Sequence, residues 1–359
     1  MAKLNKIIYF WNIFSETPLI LPNYKAMKIY FLVLLLFSTW GTYAQTSARK
    51  YAIQFLRVHS PEHAYLLQKY YQTNSIVHLP SATINIGRHL DFMIYLTDTT
   101  HRDVIIHEIP LMIHEIYHDY ARRGAYKFLE ENPKFFEAGK EYLLFYFDET
   151  KELLAEVFTT FPAHEIAKII PNNLREERYK TFIDTKNLAL LPQKNGFFGL
   201  LDEWNAFFHQ TWVAFESKEF YERESFQDAK HWEGYFSNYY DSYHAYVEFK
   251  YYILKYLQYA KYKHPQTYEK IILNSQIKTI YKEIDRRFKK ILDDFNHYRP
   301  LVINFLEKKG IQLSEEVHNG HTILFIMGIG VDTQDRIFKL YEKALEDDEL
   351  KNIDFQLKH

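Results

Sequence analysis

The sequence predicts an α+β protein, predominantly α-helical, with a small sheet in its N-terminal part and an extended helical C-terminal part. Three observations predict it. Apolar residues recur at helical spacing over most of the chain, and the 30 Tyr and 29 Phe share that spacing. That pattern assigns the aromatics to a core and its interfaces more readily than to a glycan-binding surface. In the first half, β-like runs occur only at 82–86 (ATINI) and 91–96 (DFMIYL), joined by a turn at Gly87-Arg88. The 359 residues include no cysteine, so a core and not disulfides must hold the fold, as one large or two closely packed domains.

The elements follow in order. Met27-Lys28 begins an export pattern: Lys25 and Lys28, the apolar run 29–37, then Thr42-Tyr43-Ala44 as a small-x-small cleavage site before Gln45. The run is too short to span a bilayer, so residues 27–44 read as a cleaved signal peptide and not as a membrane anchor. Residues 1–26 read as an upstream extension before the true start at Met27. A periplasmic or secreted protein is expected. The formal net charge of −2 offers no electrostatic footprint for nucleic acid.

Residues 46–74 read as helical pieces interrupted at Ser60-Pro61. Asp98-Thr-Thr100 resembles a helix start, Pro110 starts or kinks the next helix, and Gly124 ends it. Helices are expected at 134–146 and 149–161, at 196–215, and at 239–263, the last stopped by His264-Pro265. Others follow at 266–296, 298–308 and 333–347, with 322–331 as a strand or buried helix. No repeat or linker is visible, and the loop at 191–195 is the best domain boundary.

The chemistry-bearing segment is Ile113-His114-Glu115-Ile116-Tyr117-His118. One helical turn apart, His114 and His118 share a face and can reach one metal ion, with Glu115 beside them as a general base. A carboxylate from a second helix would complete three ligands and leave a fourth position for water, the open geometry of catalytic zinc. Downstream, Glu152 and Glu156 are spaced i, i+4 among Leu153, Leu154, Val157 and Phe158. Two such carboxylates in apolar surroundings need a neutralising partner. Zinc would serve for Glu152, and the Nδ1–H of a ligand histidine for Glu156. Glu203 and Glu248 are alternative third ligands, ranked lower because neither has an acid four residues later. Asp202, Glu203 and Asn205, polar on an apolar helix, are candidates for a cleft wall. Tyr142, Tyr146 and His244 are candidate donors to the oxyanion of a tetrahedral intermediate.

His114-Glu115-x-x-His118 followed by Glu152-x-x-Ala155-Glu156-x-Phe158 resembles the gluzincin metallopeptidases, most closely the catalytic domains of lethal-factor-type toxins. The likeness covers about residues 105–160. It implies a zincin-like fold with a catalytic region at 45–190 and a helical region at 191–359 packed on it. It also implies zinc on His114, His118 and Glu152, Glu115 as base, Glu156 as the supporting acid, and a peptide or protein substrate. One departure is Tyr117, where a small residue often precedes the second histidine; its bulk is expected to reshape the pocket or to silence it.

Overall fold

The computed structural model describes residues 47–359 apart from residue 177 and residues 225–228. The expected signal peptide and the segment before it lie outside the described residues. Helical residues 47–59 (α1) and Pro61–Tyr71 (α2) meet at Ser60-Pro61, where the sequence predicted the break. Ile76–Leu79 (β1) and Ala82–Asn85 (β2) form an antiparallel hairpin with Val77 opposite Ile84. The run at 91–96, expected as the partner strand, is instead a 3-10 turn over Phe92–Tyr95. The Asp91 side chain accepts a hydrogen bond from the Met93 amide, which satisfies a first-turn N–H that a strand would have left to a neighbour.

Arg102–Glu131 (α3) carries the histidine motif and is longer at both ends than the sequence suggested. Pro110 lies inside it. An interior proline costs about 3 kcal/mol, and burial of Ile105, Ile106, Ile109, Met112 and Ile113 around it offsets that. Leu111, between them in sequence, is exposed. Gly124 does not end the helix either. A Cβ there would stand 3.0 Å from Leu144 and from Tyr120, so glycine allows a following strand to pack closely.

That strand is the largest departure from expectation. Residues predicted as two helices form an antiparallel hairpin, Glu141–Asp148 (β3) and Lys151–Val157 (β4), with Tyr142 opposite Glu156 and Tyr146 opposite Glu152. Residues 142–147 are buried on both faces, so the polar alternation that marks a strand is missing.

Leu191–Lys194 (α4), predicted as a loop, is a short helix that crosses Phe197–Glu216 (α5) at Gly199. A Cβ on Gly199 would meet the Leu191 carbonyl at 2.2 Å. Helix α5 is buried almost all round, as a central helix must be when it packs on α3 and on several later helices. Lys218–Glu224 (α6), Ala229–Tyr243 (α7) and Ala245–Lys263 (α8) follow; the long tyrosine-rich helix is thus split at His244. Pro265–Ile272 (α9) and Ser275–Lys308 (α10) come next, with Pro300 inside α10 where two helices were expected. Leu313–His318 (β5), His321–Ile326 (β6) and Ile329–Asp332 (β7) make a three-stranded antiparallel sheet. Asp335–Ala344 (α11) and Asp348–Lys358 (α12) close the chain.

The protein is therefore α+β and predominantly α, with small antiparallel sheets. Ala48–His359 forms one compact unit that spans both sides of Leu191. Its core is rich in aromatics, with Trp204, Trp232, Tyr117, Tyr235 and Tyr252 among the largest fully buried side chains. Among the described residues, no helix is long and apolar enough to cross a membrane.

Candidate metal centre

Helices α3 and α5 bring three ligand atoms to one point. His114 Nε2 and His118 Nε2 lie 3.1 Å apart, and Glu203 Oε2 lies 3.6 Å from the first and 3.4 Å from the second. Tetrahedral ligands at zinc–ligand distances of 2.0–2.1 Å stand about 3.3 Å from one another. The observed separations fit an ion between the three atoms without rearrangement. Glu203 is 5% exposed, and neither its Oε2 nor His114 Nδ1 has a hydrogen bond of good geometry. Buried polar atoms left this way cost stability unless something else satisfies them. This group could hold a metal ion.

Beside it, His118 Nδ1 lies 2.5 Å from Asp202 Oδ2, and Asp202 is fully buried. Donation from Nδ1–H to that carboxylate fixes the tautomer, turns Nε2 toward the ion site and raises its basicity. Asp202 thus occupies the supporting position that the resemblance implied for Glu156, reached from the residue before the ligand. If the group holds a metal ion, Asp202→Asn should weaken its binding about 10–100-fold, read by competition with a chromogenic chelator. An unchanged affinity would remove Asp202 from that role.

Charge at the centre has a clear direction. Burial opposes ionisation of Glu203, but His118 and His114 outweigh it and hold the carboxyl at about 2. Burial likewise opposes protonation of His118, yet Glu203 and Asp202 hold its pKa well above the usual imidazole value. Without metal, the two carboxylates therefore favour the protonated form of His118. A metal takes the neutral ring, so binding must expel a proton. Where His118 holds that proton, apparent affinity for a metal ion should rise with pH, about tenfold per unit for one proton released. Calorimetry in two buffers of different ionisation enthalpy measures the release, and zero protons expelled would contradict the assignment.

The other expected site residues lie elsewhere. Glu152 is on a strand and not on a helix; it is 2.7 Å from Lys69 Nζ and accepts from Tyr120 OH at 2.5 Å. It is not in the histidine cluster, and Glu203 takes the third corner. Glu156 accepts from Lys140 Nζ at 2.8 Å and is not beside either histidine's Nδ1. Glu248, the second alternative ligand, is buried and accepts from Arg178 at 2.7 Å. Of the candidate oxyanion donors, Tyr146 gives its hydroxyl to Glu62. His244 is held neutral by burial and by Arg178, with Nδ1 3.1 Å from the Tyr240 carbonyl and Nε2 against Arg178. Tyr142 lines the cleft, but its hydroxyl donates to Phe135 O at 3.1 Å and accepts from Glu137 N at 3.0 Å.

Tyr117 is turned away from the ion site. Its ring stacks on His209 with centroids 5.0 Å apart, and its hydroxyl accepts from Asn205 Nδ2 at 2.7 Å. Its bulk therefore fills the core and not the cleft.

His114, Glu115, His118 and Glu203 open into a cleft of roughly 860 Å³. Glu115, Asp119, Arg122 and Tyr126 of α3 form its floor, spaced along one helical face. At 1.5 Å rise per residue, Glu115 to Tyr126 spans about 16 Å. The ends of β2 and β3 and the strap from Thr181 to Asn195 form its walls.

No known family model, curated protein or solved structure matches this chain.

Proposed function

We propose that the protein is an exported zinc-dependent peptidase with a zincin-like fold. Its ligands are His114, His118 and Glu203, a gluzincin-type set of two histidines and a glutamate. The observation that carries this reading is the buried triangle of ligand atoms at tetrahedral spacing, with Asp202 behind one histidine and Glu115 on the shared cleft. Zinc is the metal of choice for two imidazoles and one carboxylate with a position left open. When bound there, it supplies a Lewis acid that brings the pKa of water toward neutrality.

The chain's own residues do the rest. Glu115, on the same helical turn as His114, accepts a proton from the attacking water while the water oxygen joins the carbonyl carbon. As the C–N bond breaks, Glu115 returns the proton to the leaving amine. Asp202 keeps His118 oriented through the cycle. A floor of about 16 Å holds four to five extended residues at about 3.3 Å each, which favours a peptide over a small amide. Tyr117, packed into the core, obstructs neither water nor substrate.

The test is elemental analysis of the purified protein together with digestion of a broad peptide library. One zinc per chain and cleavage abolished by a chelator are expected. Bound zinc without cleavage of any peptide would leave a metal-binding protein that is not a peptidase.

A further inference from the structure

The metal cleft does not end at Glu141 and Val157. A second cavity of roughly 580 Å³ shares those two residues, and Lys194 and Asn195, with it. Beyond the shared wall the lining carries Lys140 and Lys270 with Glu156 and Thr159. Lys140 is committed to Glu137 at 2.6 Å and to Glu156 at 2.8 Å. Lys194 and Lys270 make no ion pair among the described residues; Lys270 lies over the Phe158 ring at 3.9 Å, which holds its ammonium at the cavity. Lys194 ends α4, whose first residue, Leu191, crosses α5 at Gly199. Glu137 and Glu156 on Lys140, together with Glu141, balance the three lysines in number, so Lys194 and Lys270 stand out as ammonium groups without a carboxylate of their own and not as an excess of charge. The metal end, with Glu115, Asp119 and Glu203, carries carboxylates.

We propose that Lys194 and Lys270 form a carboxylate-binding subsite, so that the substrate is a peptide with an acidic group three to four residues from the bond cut. This rests on the peptidase reading above. The spacing follows from the helices. Glu203 lies six residues beyond the start of α5, about 9 Å of rise, and α4 adds a few ångströms more. An extended peptide covers that distance in about three to four residues. The acidic group can be an Asp or Glu side chain or a free C-terminal carboxylate, which Lys194 and Lys270 would meet alike.

Peptide hydroxamates test this without any need for turnover, because the hydroxamate anchors the peptide at the metal. Two series, anchored at the N- or the C-terminal end, place Asp, Asn or Lys at the second to fifth residue from the anchor. A third compares a free with an amidated C-terminus at the same distances. Affinity for the zinc-loaded full chain is read by displacement of a fluorescent hydroxamate. The expected result is a preference of about fivefold or more for Asp over Asn at the third or fourth residue. It should fade at roughly 0.5 M salt and give way to a preference for Lys over Asn in the K194E/K270E protein. A stronger effect of the free C-terminus would also support the subsite and identify its source. Equal binding of Asp and Asn throughout, with zinc-dependent binding of every peptide, overturns the subsite and leaves the peptidase reading standing. If no hydroxamate binds in a zinc-dependent way, the peptidase reading fails and the subsite falls with it.

Discussion

Glu115→Gln should keep its zinc and lose its activity. The substitution preserves size and hydrogen-bonding capacity but removes the group that takes and returns the proton, which costs on the order of 10²–10⁴ in rate. Glu115 is half-buried on the cleft and makes none of the contacts that join His114, His118 and Glu203. Zinc content and thermal stability should therefore change little. The measurement is kcat/KM on a cleaved peptide beside zinc per chain. Full activity in the variant would place the base elsewhere, with Asp119 of the same cleft as the first residue to try.

The second large effect separates two glutamates. Glu203→Ala removes a ligand and should lower zinc affinity by more than the roughly 10–100-fold that loss of an outer partner costs. Glu152→Gln should leave zinc affinity unchanged. It instead replaces a carboxylate that pairs with Lys69 and Tyr120, so its effect belongs to stability. Leaving one partner of such a part-buried network without its charge costs about 1–3 kcal/mol, visible as a lower Tm. If Glu152→Gln loses zinc and Glu203→Ala keeps it, the assignment of the third ligand is reversed.

The contrast between these glutamates shows what could be read in the sequence. The helix carrying His114 and His118 was legible because its i, i+4 spacing and the buried Met112 and Ile113 belong to one short segment. Its limits were not. Pro110 and Gly124 carry the local signals of a helix start and stop, and tertiary packing overrides both, at Gly124 because Leu144 needs the space. Glu152 and Glu156 were placed together on a helix because Leu-Leu-Ala-Glu-Val-Phe reads equally well with a helical period. Aromatic residues over 142–147, and the turn at 148–150 where Asp148 accepts from the Thr150 amide, were the available hints of a hairpin. On that hairpin Glu152 and Glu156 find lysines in place of a metal.

Glu203 was visible only as an oddity. Phe197–Phe208 reads FFGLLDEWNAFF, and three polar residues inside so apolar a helix require buried partners. Expecting an acid four residues after the ligand ranked Glu203 low. The supporting acid is Asp202, the residue before it, and it reaches the opposite nitrogen of the same histidine. No sequence spacing encodes that arrangement, because it depends on how α3 and α5 cross.

Anomalous scattering at the zinc edge, from crystals of the zinc-loaded protein, tests the account most directly. The account predicts one strong peak between α3 and α5, bonded to His114 Nε2, His118 Nε2 and a Glu203 oxygen at about 2.0–2.2 Å. A peak at the hairpin, on Glu152, or no peak within reach of the two histidines would contradict it.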